Sequence, residues 1–301
     1  MMEEPALIAV VWSLAGSVAL ARLGYINLAS MTLSKDGRRY LHAGAGKSAP
    51  FPFALRWLLP LLCGTSVRRW RICTMSHLVI LPPLVTLWME PWITDERLLV
   101  TGGLLVCGLS GIWRISLAMP VLVDAAAMTW SLGAAIGFQH HAWYLGIACS
   151  LVAGSIKETG PVFAACYAWN SFALLGLLAP ALRALTARAG SDPVGEDALL
   201  RDPLWAGRLY HTDRWLDPAR MVAPWGAAVL AAFTTDSAII PILVTTTALA
   251  YGQLLIATGT VRLYQWAAPP MVLGTASVIP ARWAIGILLL HQFNPWAGDG
   301  R

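Results

Sequence analysis

Residues 142–168 read AWYLGIACSLVAGSIKETGPVFAACYA. Two apolar runs flank the adjacent Lys157 and Glu158, and Gly160-Pro161 opens the second run. Proline suits the first turn of a helix, so the stretch reads as helix, tight turn, helix. Ionisable residues beside membrane-spanning segments are costly and mark functional positions. Successive helical residues point about 100° apart, so Lys157 and Glu158 do not simply neutralise each other. The lysine suits a lipid phosphate as a point charge. Snorkelling to the membrane interface is the plainer alternative.

Working outward, the whole chain has the same character. It is 57% hydrophobic and 12% charged, with mean hydropathy +0.62. Soluble domains of ordinary composition are about 25% charged, so these values indicate an integral membrane protein. The 15 tryptophans suit an extensive membrane–water interface. The net charge of +5 fits anionic lipid headgroups. Nucleic-acid binding is disfavoured, because the basic residues lie in links between apolar segments and not on one soluble face. The five cysteines (63, 73, 107, 149 and 166) show no metal-ligand spacing and read as small core residues. Cys63 and Cys73 have the option of pairing in an oxidising compartment.

A membrane span needs roughly 20 mostly apolar residues. Segments of that kind lie near 5–26, 75–90, 97–117, 120–138, 142–156, 160–184, 220–235, 237–258, 264–279 and 280–293. The expected fold is therefore all-α: a polytopic transmembrane bundle of about 8–10 spans in a single domain, 1–301. The acidic start (Glu3, Glu4) and the apolar run 6–21 read as a retained first span rather than a cleaved leader. Two polar stretches interrupt the pattern. The first, 27–74, holds an apolar piece, 54–63, that is too short to cross and suits an interfacial helix. The second, 186–220, balances Arg against Asp and Glu and reads as a solvated connecting loop.

Candidate site residues sit at segment ends and in these links. Asp36 stands just beyond the first span, where a carboxylate can serve as a general base toward a hydroxyl. A loop aspartate paired with Lys35, Arg38 or Arg39 is the plainer reading. Asp124 falls in the first turn of a helix, where the macrodipole favours negative charge, and it is the sole acid between Glu96 and Glu158. Arg262, with Tyr264 and Trp266, offers either a phosphate fork with an aromatic wall or an interfacial anchor. Gly44-Ala45-Gly46-Lys47-Ser48 looks like the end of a phosphate loop, but Leu41 stands where the full pattern needs glycine. His140-His141 lie one span away from the Lys157–Glu158 turn and give no metal site.

In order along the chain, these elements resemble the GT-C class of membrane glycosyltransferases, which use polyprenyl-phosphate-linked sugars. Asp36-Gly37-Arg38-Arg39-Tyr40, with the downstream Pro-Phe steps and Arg56-Trp57-Leu58-Leu59-Pro60, resembles the first extracytoplasmic loop and catalytic acid of that class. Residues 120–124 resemble its second acid, 154–160 its Lys-Glu turn, and 262–266 its late arginine motif. The resemblance implies Asp36 as general base and Asp124 as its partner in positioning the acceptor. It implies Lys157, Arg262 and Arg56 on the donor lipid phosphate, supported by Glu158, Arg39, Tyr40 and Tyr264. It also implies a bacterial inner-membrane setting, a lipid bilayer and polyprenyl-phosphate-sugar donor as partners, an unspecified acceptor, and no resident cofactor. Only one acid stands at the Asp36 position, so a metal-binding acidic pair is absent.

Counting spans from an inside N-terminus places the 27–74 loop, Asp124 and the Lys157–Glu158 turn on one outer face. Against this orientation, the first loop carries Lys35, Arg38, Arg39, Lys47, Arg56, Arg68, Arg69 and Arg71 against Asp36 alone. The positive-inside tendency would put such a loop in the cytoplasm. Two other functions fit the same charges: a transporter or lipid flippase for an anionic substrate, and a non-catalytic membrane scaffold docking through 186–220.

Overall fold

A computed structural model describes residues 4–27, 33–188, 190–195, 221–255 and 260–292. They are helical, with no strand among the described residues. The α-helices are α1 (Glu4–Asn27), α2 (Lys35–Gly44), α3 (Leu58–Cys63), α4 (Val67–Met89), α5 (Glu96–Leu105), α6 (Ile115–Ala118) and α7 (Asp124–Gln139). They continue with α8 (Trp143–Ile156), α9 (Gly160–Ala168), α10 (Leu178–Thr186), α11 (Ile239–Gly252), α12 (Thr260–Tyr264), α13 (Ala268–Val278) and α14 (Ala284–Gln292). Most of the expected loop 186–220 lies outside the described residues.

Among the described residues two helices are long and apolar enough to cross a membrane, within α1 and at α4. The number rises to four if two bent helix pairs each count as one span. This is fewer than the 8–10 spans expected, and the reason is length. Helices such as 143–156 and 239–255 are apolar but run only 10–17 residues, and at about 1.5 Å per residue they fall short of a hydrocarbon core of ~30 Å. The expected span 160–184 is broken: Trp169 adopts a left-handed conformation, and the Asn170 side chain caps a new 3-10 turn by accepting from the Phe172 N–H.

The chain divides into two compact units. Met1–Gly24, Val79–Ile115 and Pro203–Arg301 make one; Tyr25–Leu78 and Ser116–Asp202 make the other. In the first unit α1 is packed inside out by aqueous standards. Ala6, Ala9, Ser13, Ser17 and Ala21 are buried, while Leu7, Val11, Trp12 and Val18 are exposed. Small residues let helices approach closely where the surrounding medium is itself apolar. The exposed Ile285, Leu289 and Leu290 on α14 follow the same pattern. Both arrangements are compatible with a hydrocarbon environment.

Helix α4 contains Pro82 and Pro83. Proline lacks an N–H, so the carbonyl four residues before each has no helical donor. The Ser17 hydroxyl lies 2.8 Å from the Val79 carbonyl, the acceptor that Pro83 leaves open. Beside it, the Ser13 and Thr86 hydroxyls are 2.6 Å apart.

Two further breaks in this unit are covered by side chains. The α5 segment bends by 58° into a π turn, Ser110–Arg114, and Gln265 accepts from the Gly111 N–H at 2.6 Å there. The same amide donates to the Pro224 carbonyl, beside the left-handed Gly226 that interrupts the helical stretch Ala223–Phe233. His291 on α14 hydrogen-bonds the Leu105 carbonyl through Nε2 and the Ala227 N–H through Nδ1. Irregular backbone at membrane depth is tolerated only where such partners exist.

Ser17→Ala is expected to lower stability by about 1–3 kcal/mol, the cost of a buried carbonyl left without a donor. Pro83→Ala restores a backbone donor and should remove most of that loss. Thermal unfolding of the single and double variants in detergent checks both outcomes.

Candidate functional site

The second unit is built around α7, α8 and α9, with the 3-10 helix Ser171–Leu177 packed on them. Gly154 and Gly176 face each other so closely that a side-chain carbon on either would overlap backbone of its neighbour. Buried Ser150 donates to the Ala173 carbonyl, and Ser131 to Gly160 at 2.9 Å. These contacts fix the turn between α8 and α9. Lys157 leaves α8 in extended conformation, and Gly160 closes the turn by donating to the Lys157 carbonyl.

At this turn the two charges diverge. The Lys157 ammonium donates to Asp124 Oδ1 at 2.6 Å, and the residues are 4% and 2% exposed. Asp124 opens α7, so its carboxylate serves Lys157 while its charge also suits the helix N-terminus. Glu158 turns toward the first loop and receives both Nε (2.8 Å) and Nη2 of Arg56. The third nitrogen of that guanidinium, Nη1, donates to the Tyr40 hydroxyl at 2.9 Å. Burial alone would raise the Glu158 pKa, but Arg56 and then Lys157 hold the carboxyl below its usual range. Burial likewise opposes charge on Arg56, and Glu158 overcomes it, keeping the guanidinium firmly protonated.

Helix α2 supplies the other side. The Ser34 hydroxyl caps it by accepting from the Gly37 N–H. Gly37 is required here: a side chain would press on the Val121 carbonyl, Leu33 and Ser34. The segment leading to Asp124 is pinned by Thr74, which donates to the Pro120 carbonyl at 2.6 Å. One turn into α2, Arg39 makes a two-pronged bond to Asp192 (2.9 and 2.7 Å) and touches Asp36 at 3.2 Å through Nη1. The guanidinium groups of Arg39 and Arg56 lie 5.0 and 5.2 Å from the ring centre of Phe53. Tyr40 packs edge-on against Phe53 and tilts over Trp70. Burial drives the Tyr40 pKa upward, Arg56 opposes this, and Asp36 and Asp124 both reinforce it. Tyr40 therefore stays a neutral hydroxyl within electrostatic reach of both acids.

The structure thus brings Asp36, Arg39, Tyr40, Arg56, Asp124, Lys157 and Glu158 into one network within one unit. Arg262 and Tyr264 belong to the other unit, on α12. There Tyr264 stacks on Tyr251 at 5.0 Å, and the Tyr251 hydroxyl donates to the Met221 carbonyl.

Three participants were not singled out from the sequence. Asp192 lies in the stretch read as solvated loop, yet its side chain is fully buried. The backbone around it docks on the first loop, with the Gly190 N–H donating to the Ala49 carbonyl. Phe53 and Trp70 were passed over because an aromatic residue in an interfacial loop needs no special role. The available signal is the Asp-Pro step at 192–193, an acid in a stretch of isolated arginines.

Among the described residues the network joins Asp36, Asp124, Glu158 and Asp192 to Arg39, Arg56 and Lys157. Arg56 and Lys157 are compensated internally. Asp36 is partly exposed (21%) and contacts Arg39 at 3.2 Å. Among the described residues no group of three or more His, Cys, Asp or Glu is placed to hold a metal ion. Compared with known protein families, with curated proteins and with solved structures, the chain has no match.

Breaking a buried ion pair from one side costs about 3–5 kcal/mol, whereas replacing both charges with apolar groups costs far less. Lys157→Met and Asp124→Leu should each lower the unfolding midpoint steeply, and the double variant should recover much of the loss. Glu158 gives a pH test. Its folded pKa lies below the unfolded value of about 4.3, so its stabilisation is complete above that value and lost as pH falls through the folded pKa. The stability difference between the protein and Glu158→Gln should be constant from pH 7 to about 5 and shrink on further acidification, as followed by unfolding at each pH.

Proposed function

We propose that this buried network is the catalytic centre of a membrane glycosyltransferase, moving a sugar from a polyprenyl-phosphate donor to an extracytoplasmic acceptor in a bacterial inner membrane. The observation that carries the reading is that one unit gathers Asp36 on Arg39, Arg56 on Glu158 and Tyr40, and Lys157 on Asp124 at the turn beside Glu158.

In this reaction the acceptor oxygen attacks the anomeric carbon. Asp36 takes the acceptor proton, and the glycosidic electron pair leaves with the polyprenyl phosphate. Asp36 suits the base role because it is partly exposed, whereas Asp124 is buried against Lys157 and Glu158 is held by two nitrogens of Arg56. Asp124 acts by fixing Lys157. The developing charge on the phosphate is met by donors already oriented, which avoids reorganisation as charge appears. Glu158, Arg39 and Tyr40 hold the arginine fork and the base in place.

The transporter reading has one specific observation in its favour. The first unit contains bent helix pairs, at 58° and 115°, and discontinuous helices are where transporters bind substrates and ions. Against it, the Gln265 amide and the His291 imidazole already serve backbone groups at these breaks.

Membranes containing the protein, supplied with a panel of polyprenyl-phosphate-linked hexoses, should release polyprenyl phosphate. Asp36→Asn should reduce that release by roughly 10²–10⁴-fold, the usual contribution of a general base, with an unchanged unfolding midpoint. Full activity in Asp36→Asn would sink the mechanism. Donor turnover by none of the panel, together with uptake of an anionic solute into vesicles, would favour the transporter.

A further inference from the structure

Two pairs of arginines in the first polar stretch differ in their surroundings. Arg39 and Arg56 are taken up by Asp192 and Glu158 inside the fold. Arg68 and Arg69 are exposed, and among the described residues neither pairs with a carboxylate. They stand in the first turn of α4, one of the two described helices long and apolar enough to cross a membrane. The first turn of a spanning helix lies at the depth of lipid headgroups.

The corner between α3 and α4 sets these cations beside exposed apolar side chains. Gly64, between the helices, takes a positive φ of 56°, a conformation that suits glycine. The Trp70 indole N–H donates to the Gly64 carbonyl at 3.0 Å, and the Ser66 N–H to the Cys63 carbonyl at 3.3 Å. The end of α2 packs on the same corner, so closely that a side-chain carbon on Gly44 would overlap the Gly64 carbonyl. Trp70 is turned inward and fully buried, which leaves Arg68, Arg69 and Ile72 on the outward side of α4. On α3, Leu59, Pro60 and Cys63 are buried, whereas Leu61 and Leu62 are 70% and 61% exposed. Val67 is exposed as well.

The chemistry of this surface selects its occupant. A free phosphate ion would engage the arginines and leave four apolar side chains bare. A zwitterionic lipid would cover the apolar side chains but bring a cation of its own toward the arginines. A lipid with a net negative headgroup meets both requirements: its phosphodiester suits guanidinium donors, and its chains suit the leucines. We propose that the α3–α4 corner is a binding surface for anionic phospholipid, with Arg68 and Arg69 on the headgroup and Leu61, Leu62, Val67 and Ile72 against the acyl chains. The proposal goes beyond the transferase reading and does not depend on it, because it requires only that α4 lie in a membrane.

The test uses the full-length protein, delipidated in a neutral detergent and mixed with equal amounts of phosphatidylglycerol and phosphatidylcholine of identical chains. Native mass spectrometry then counts the lipids retained. Two basic residues beside an anionic headgroup correspond to a roughly 30-fold preference, which the protein should show for phosphatidylglycerol. Arg68→Gln/Arg69→Gln should abolish that preference without moving the unfolding midpoint in lipid-free detergent, and Arg68→Lys/Arg69→Lys should keep it. Leu61→Ser/Leu62→Ser, which leaves the arginines in place, should reduce retention of both lipids. Arg97→Gln/Arg282→Gln removes the same charge at exposed positions of the other unit and should behave like the unaltered protein. Equal retention of the two lipids by the unaltered protein would overturn the proposal. So would an undiminished preference in Arg68→Gln/Arg69→Gln, or an equal loss in Arg97→Gln/Arg282→Gln. Displacement of the lipid by inorganic phosphate would reduce the corner to a simple anion site and overturn it as well.

Discussion

The bond between Lys157 and Asp124 is the constraint on which the second unit depends. An ammonium and a carboxylate removed from water each cost several kcal/mol, and only close, oriented contact offsets that cost. The chain therefore has to bring the start of α7 to the end of α8, and everything nearby serves that approach. Glycines at 154 and 176 let backbones touch, serines 131 and 150 tie carbonyls across helices, and Thr74 pins the segment that delivers Asp124. With Lys157 held, Glu158 must point elsewhere, and it reaches Arg56 in the first loop.

The first loop is consequently a packed layer and not a tether. Two of its arginines, Arg39 and Arg56, both lie over the ring of Phe53. The positive charges that weigh against an outer location for this loop are in part neutralised by Asp192 and Glu158, which come from later in the chain. Charge compensation inside the fold weakens Arg39 and Arg56 as topology signals, because a paired arginine adds little net charge to its loop. Arg68 and Arg69, exposed at the start of α4, retain that role.

The other unit solves a different problem with similar means. Its helices are interrupted by prolines, by Gly226 and by a π turn, and each interruption strands backbone groups where water is scarce. A serine, a glutamine and a histidine supply the missing partners. These residues would read as unremarkable polar positions in any hydropathy plot. Their role exists only once the breaks are located, and the breaks depend on how far each helix can run before its neighbour forces a bend.

Composition and apolar periodicity by themselves determined that the chain is helical, that large apolar faces need an apolar environment, and that Lys157, Glu158, Asp124 and Asp36 sit at helix ends. Those properties follow from local chemistry: apolar runs, a Gly-Pro helix start, acids placed where a dipole welcomes them. Among the described residues fewer helices are long enough to cross a membrane than hydropathy suggests, since hydropathy alone does not register the turns at Trp169 and Leu109. Only the tertiary structure decided which charge meets which. Asp192 is separated from Arg39 by 153 positions and Glu158 from Arg56 by 102. Such pairings are set by packing between distant segments, where one geometry satisfies every buried charge, and no local pattern in the sequence encodes that choice.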